Sequence, residues 1–201
     1  MTIYLKYPPT DFFEEAKKQT LKKSPNKTQP LQNPSGKTEI PHMKPKLYLE
    51  TSVVSYRTSP ASRDVIIAGH QQSTHLLWEK LGDDFEPFVS ALVIKETSRG
   101  NPDKAKQRLD AISSFGIIKN TPEAESLAWE IIDNHGIPEE YPEDALHIAL
   151  AAIGGIDFVV TWNFAHMNNP FTKMRIRQTI ENEGLVCPQI VSPDELIGEA
   201  S

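Results

Sequence analysis

The sequence predicts an α/β fold, a mostly parallel sheet with helices on both faces. Short apolar or sheet-prone runs recur near residues 47–49, 85–89, 115–118, 158–161 and 189–191. Between them stand helix-start signals: Ser59-Pro60, Ser90, Asn101-Pro102, Thr121-Pro122, Pro142 and Ser192-Pro193. Strand and helix therefore alternate, which is the pattern of a parallel sheet covered on both sides. The apolar residues concentrate in 46–197, leaving about 150 residues to bury a core.

Residues 1–45 read as a flexible N-terminal extension. Ile3, Leu5, Tyr7, Phe12 and Phe13 open it, and a lysine- and proline-rich stretch with linker composition follows. Met43 stands directly before the folded region and is a second candidate start. Residues 46–197 form the predicted domain, and 198–201 a tail. In the domain, Leu47-Tyr48-Leu49 contains no breaker and runs into Glu50. Val53, Val54 and Tyr56 then suggest a short helical turn. A long helix is expected over 61–81, with Ile66, Ile67, His70, Thr74, Leu77, Trp78 and Leu81 roughly on a helical period. Strand 85–89 leads to a helix from Ser90, and Arg99-Gly100 ends that helix. Asn101 caps the next one. Strand 115–118 precedes a helix from Pro122 to about His135, stopped by Gly136. Pro142 opens a helix that Gly154-Gly155 closes. Strand 158–161, a helix over 171–182, strand 189–191 and a final helical turn complete the chain.

The bulk properties restrict the function. The net charge of −6 argues against a broad basic face for duplex DNA. A single cysteine, Cys187, excludes an internal disulfide framework and a cysteine zinc site. No apolar run approaches the roughly 18 residues of a membrane span, so a cytoplasmic protein is expected. The first strand is not followed by a glycine-rich phosphate loop, which argues against a nucleotide-binding enzyme of the usual pattern.

Three acids carry the chemistry. Glu50 ends the first strand, and in open α/β sheets ligands collect beyond the C-terminal strand ends. Glu96 lies six residues after Ser90, and Asp144 lies in the first turn of its helix. Taken alone, Glu50 could equally be a solvated strand end, whereas Glu96 is more often a solvated helix acid and Asp144 a helix-start acid. If they converge, their charges need neutralising, and oxygen-only ligands fit Mg²⁺ or Mn²⁺. Asp157 precedes its strand and belongs to the opposite end of the sheet.

The string Leu47-Tyr48-Leu49-Glu50-Thr51-Ser52-Val53-Val54 resembles the opening motif of the PIN-domain ribonucleases. Glu96 within Ser90–Glu96, Asp144 within Asp144–Ala149, and the ending Ile190–Leu196 match the same pattern in order and spacing. The resemblance covers about residues 46–197. It implies a three-layer α/β/α sandwich and metal-dependent hydrolysis of RNA, with Glu50, Glu96, Asp144 and Asn163 as catalytic positions. Of these, Glu50, Glu96 and Asp144 would ligate the metal. Many small bacterial relatives are toxins paired with antitoxins, often as homodimers, so RNA, an antitoxin and a second copy are the expected partners. Two departures bear on activity. Glu50 stands where the family usually has Asp, extending the carboxylate by roughly 1.5 Å. Asn163 stands where the family often has another Asp, and it cannot supply that charge. Hence the alternative function is a catalytically weak or inactive domain that binds RNA or protein.

Supporting roles follow. Thr51 and Ser52 either orient Glu50 or cap the helix. Thr161 either bonds a carboxylate or finishes the strand. His166 either contacts phosphate and shuttles protons or makes a structural hydrogen bond. Arg63, with Arg57 and Arg99, could flank the cleft and hold phosphate. Lys173, Arg175 and Arg177 read as a solvated helix face, and Trp162 as core packing.

Overall fold

The computed structural model describes residues 43–198. The expectations for the extension before Met43 and for the last three residues lie outside these. Five strands, β1 (Lys46–Leu49), β2 (Glu86–Ser90), β3 (Gly116–Ile118), β4 (Phe158–Val160) and β5 (Gln189–Val191), form one sheet in the order β3-β2-β1-β4-β5. Every pairing is parallel, with Tyr48 opposite Phe88 on one side and Val159 on the other. Leu47, Tyr48 and Leu49 are all fully buried, as expected of a central strand covered on both faces.

The helices are α1 (Thr51–Thr58), α2 (Val65–Lys80), α3 (Ala91–Thr97), α4 (Pro102–Ala111), α5 (Pro122–Asp133), α6 (Pro142–Ile153), α7 (Pro170–Asn182) and α8 (Pro193–Ile197). They pack in two groups. Helix α1 contacts α2, α3 and α4, and α2 contacts α8; α5 contacts α6 and α7. The result is the predicted three-layer α/β/α sandwich. Its core joins β1, β4 and the inward faces of α5, α6 and α7 through Val159, Ile131, Ile148, Ile176 and Ile180. No helix among the described residues is long and apolar enough to cross a membrane.

Local chemistry sets the element ends. Asn101, Thr121 and Asn169 cap their helices through side-chain oxygens, each with proline in the first turn. The long helix starts later than its Ser59-Pro60 signal. Asp64 is the cap, and its carboxylate accepts from the amides of Ile66 and Ile67 at 2.9 and 3.1 Å. The loop before it is held instead by buried Gln71, which accepts from Ser62 N and donates to Pro60 O, both at 2.9 Å. Val65 and Ile66 consequently lie exposed in the first turn of α2. After α5 the left-handed residue is His135, at φ 58°, and not Gly136. Gly136 is required by close approach, because a Cβ there would lie 3.0 Å from Ile131 O and from an Ile176 side-chain carbon.

Strand order reverses between β1 and β4, since β2 and β3 lie on one side of β1 and β4 and β5 on the other. Such a switch point opens a crevice at the C-terminal strand ends. Glu50 follows β1 and Thr161 follows β4, so both stand at that crevice.

Candidate metal centre

Glu50 leaves β1 in an extended conformation and serves as the N-cap of α1 without a side-chain cap bond. Its carboxylate is thereby free to face the crevice, although the residue is only 8% exposed. Ser52 donates its hydroxyl to Glu50 Oε2, and Thr161 Oγ1 donates to the same oxygen at 2.9 Å. Ser52 Oγ also accepts Trp162 N at 3.0 Å, which ties the ends of β1 and β4 together. Thr51 turns the other way and donates to Glu96 Oε2, so it neither orients Glu50 nor caps α1.

Glu96 arrives from α3, whose N-cap Ser90 accepts Val93 N at 3.3 Å. From α6 comes His147, buried, with Nε2 3.2 Å from Glu96 Oε2 and Nδ1 2.7 Å from the hydroxyl of Tyr48. One ligand atom each of Glu50, Glu96 and His147 lies within 4.8 Å of the others. Two carboxylates and an imidazole form a donor set able to hold a divalent cation.

Asp144 precedes His147 by one helical turn but is not in that tight group. Its Oδ2 accepts both Asn163 Nδ2 and His166 Nδ1, each at 2.9 Å. Asn163 spends its other amide atom on His166 N at 3.0 Å, and the ring of Tyr141 packs on that of His166 with centroids 3.9 Å apart. Asn163 N donates to Thr161 Oγ1 at 3.0 Å, linking this second cluster to Glu50.

A common pattern runs through the three acids. On each carboxylate both donors fall on one oxygen, and among the described residues the other oxygen accepts none: Oε1 of Glu50, Oε1 of Glu96 and Oδ1 of Asp144. None of these three is a wholly enclosed orphan, so each is open to solvent. No lysine or arginine among the described residues forms a salt bridge with Glu50, Glu96 or Asp144.

The remaining predicted residues are placed as follows. Arg63 is exposed in the loop before α2, and no hydrogen bond among the described residues joins it to the acids. Arg57 lies over the Trp78 ring, 5.6 Å from its centroid. Lys173 donates to Asn168 and to Ile190 O, and Arg175 to His135 O, so both brace the fold. Trp162 packs, as expected, stacking on His70 at 4.0 Å and donating Nε1 to Thr74 Oγ1. Asp157 accepts Lys46 N at 2.7 Å at the far end of β1. His147 and Tyr48 escape the sequence reading. The available signal is spacing, because residues 144 and 147 share a helix face.

Burial disfavours charge on both His147 and Glu96, yet their pairing prevails. The Glu96 hydrogen bond and the charges of Glu50, Glu96 and Asp144 hold the His147 pKa above its ordinary value. The same bond and charge, with Thr51 and Arg99, hold Glu96 below the usual carboxylate range. The linkage signs differ. A raised histidine contributes stability fully below its unfolded pKa of 6.5 and loses it as pH rises through the folded value. A lowered carboxyl contributes fully above 4.5 and loses it as pH falls. In a chelator, urea unfolding should therefore show this pair contributing most between these two pH values and progressively less above 6.5. A His147→Gln variant whose stability falls just as steeply above that pH would contradict the assignment.

Compared with protein-family models, the chain matches none, and compared with curated proteins it likewise matches none. Among solved structures it is similar to VapBC2 from Rickettsia felis, solved bound to a DNA fragment from its promoter. The TM-score is 0.48 at 15% identity, over 73% of this chain and 98% of that one. It is also similar to VapC20 of Mycobacterium tuberculosis, a sarcin-ricin loop cleaving toxin. There the TM-score is 0.47 at 17% identity, over 70% of this chain and 96% of that one. Neither likeness assigns a role to any residue here.

Proposed function

We propose that this chain is a metal-dependent endoribonuclease, with Glu50, Glu96 and Asp144 holding Mg²⁺ or Mn²⁺ directly or through water. The observation that carries the reading is the trio of carboxylates, each with both donors on one oxygen and the other bare at the crevice. Glu50 and Glu96 offer oxygens within 4.8 Å of each other with one imidazole, His147, against them, while Asp144 faces His166; carboxylates grouped in this way are costly without a cation. The choice of RNA among phosphodiesters is supported by the sequence resemblance alone.

When bound, the ion supplies charge neutralisation at the phosphodiester and acidifies water. The chain's own residues do the rest. Ser52 and Thr161 orient Glu50, and Thr51 orients Glu96. Asp144 and Asn163 hold His166, whose Nδ1 faces Asp144. With Nδ1 as donor, His166 keeps the lone pair on Nε2 and can take or return a proton there. Arg63, exposed near the start of α2, would contact the phosphate backbone. Exposed Val65 and Ile66 beside it support the homodimer, which light scattering tests, and co-purification tests the antitoxin.

Purified protein should cut single-stranded or stem-loop RNA only with a divalent ion. Asp144→Asn should lower kcat by about 10²–10⁴-fold, because it removes the negative charge offered to the metal and to His166 while leaving an amide oxygen that can still accept from His166 Nδ1. Equal cleavage by that variant would sink the assignment. A second reading, a fold kept for binding without cutting, is favoured by Asn163, which places an amide donor on Asp144 instead of another carboxylate. Metal binding with tight RNA binding and no cutting under any divalent ion would select it.

A further inference from the structure

We propose that Tyr48 and Ser90 make His147 a positioning residue: they fix the proton of its neutral ring on Nε2, so that it aims Glu96 at the metal and does not itself ligate. The inference rests on the metal-site reading above and concerns how that site is held.

The reasoning is a count of donors and acceptors along one buried line. Val93 N lies 3.3 Å from Ser90 Oγ, Ser90 Oγ 2.7 Å from Tyr48 OH, and Tyr48 OH 2.7 Å from His147 Nδ1. His147 Nε2 lies 3.2 Å from Glu96 Oε2. The two ends are fixed, because a backbone N–H only donates and an ionised carboxylate only accepts. With the ring neutral, one direction satisfies every group between them. Val93 donates to Ser90, Ser90 to Tyr48, Tyr48 to Nδ1, and Nε2–H to Glu96.

The reverse direction fails twice. If Nδ1–H donated to Tyr48 and Tyr48 to Ser90, the Ser90 proton would have no acceptor in the line. The bare Nε2 lone pair would also face the Glu96 carboxylate, lone pair against lone pair. Tyr48 and Ser90 are both 0% exposed, so an orphaned group there cannot turn to water. Burial also pushes the Tyr48 hydroxyl far above its ordinary pKa, which keeps it a proton donor. The chain places these groups by simple geometry. Tyr48 lies mid-strand beside β2, Ser90 ends β2, and α6 supplies buried His147 to the Tyr48 hydroxyl.

The consequence falls on Glu96. His147 and Thr51 both occupy Oε2, which leaves Oε1 as the oxygen offered to a cation. Partners that orient a ligating carboxylate typically change metal affinity by about 10–100-fold when removed.

The test reads the proton directly. Long-range ¹H–¹⁵N spectra of histidine-labelled full-length protein, at about pH 9 without metal and again with saturating Mg²⁺, show which ring nitrogen is protonated. His147 should carry its proton on Nε2 in both states. A proton on Nδ1, or an Nε2 resonance moved by direct Mg²⁺ coordination, would overturn the inference while leaving the metal-site reading standing. Absence of Mg²⁺ binding by calorimetry would instead defeat that reading, and the metal-free spectrum would still decide the tautomer. Tyr48→Phe, which removes only the hydroxyl, should weaken Mg²⁺ binding about 10-fold in a chain still folded by circular dichroism. Unchanged affinity in that folded variant would also overturn the proposal. Should the variant not fold, the wild-type spectrum decides alone.

Discussion

Replacing Glu50 with glutamine should abolish divalent-metal binding and RNA cutting while making the metal-free domain more stable. Glu50 is almost wholly buried, and its partners are the neutral hydroxyls of Ser52 and Thr161. Both hydroxyls can still donate to an amide oxygen, so the substitution keeps the hydrogen bonds and removes only the charge. Like charges about 4–5 Å apart repel by roughly 3–4 kcal/mol when the effective dielectric constant is near 20. Relief of that repulsion should appear as an increase of the same order in urea-unfolding free energy without metal. Adding Mg²⁺ should stabilise the parent and not the variant, because only a folded state that binds the ion gains from it. A purely structural Glu50 would give the opposite pattern, with stability lost and no change in response to metal.

Truncating His147 to alanine should be the most destabilising single change at the site, by about 3–5 kcal/mol without metal. It removes the partner of Glu96 and the acceptor of Tyr48 together, and leaves Glu50 and Glu96 facing each other. Part of that loss is electrostatic, so Mg²⁺ should recover some of it, whereas an ordinary core cavity would be indifferent to the ion. Thermal unfolding with and without Mg²⁺ separates the two. A loss below about 1 kcal/mol would mean that His147 is not integral to the cluster.

The acids at the strand ends were legible because their positions follow from chain topology. A carboxylate directly after a central strand, another on the helix after the next strand, and a third in the first turn of a later helix can converge at one end of the sheet; Glu50 and Glu96 do so closely, and Asp144 stands beside them in a second cluster. Asp157, which precedes β4, belongs to the opposite edge on the same grounds. What could not be read was pairing through space. Tyr48 looks like an apolar strand residue, since nothing nearby in sequence announces the Ser90 and His147 partners that satisfy its hydroxyl. Thr51 and Ser52 are adjacent, yet the turn into α1 sends one to Glu96 and the other to Glu50. His147 lies within reach of sequence spacing, being one turn from Asp144 on the same helix. The start of α2 departs from the Ser59-Pro60 signal because Asp64 caps the helix instead, while Gln71 bonds to the intervening loop and holds it out of the helix.

Asn163 illustrates how a change of residue type changes a role. An aspartate there would add a fourth negative charge. The amide instead donates to Asp144 and accepts from His166 N, and so fixes the geometry of a carboxylate–imidazole pair. That pair stands beside the tight group of Glu50, Glu96 and His147, joined to it through Thr161.

The most direct measurement is titration calorimetry of the full chain with Mn²⁺, run in parallel on Glu50→Gln. Saturable binding to the parent, lost in the variant, is the predicted result. No binding by the parent at millimolar Mn²⁺, or equal binding by both proteins, would contradict the assignment of the crevice as a metal centre.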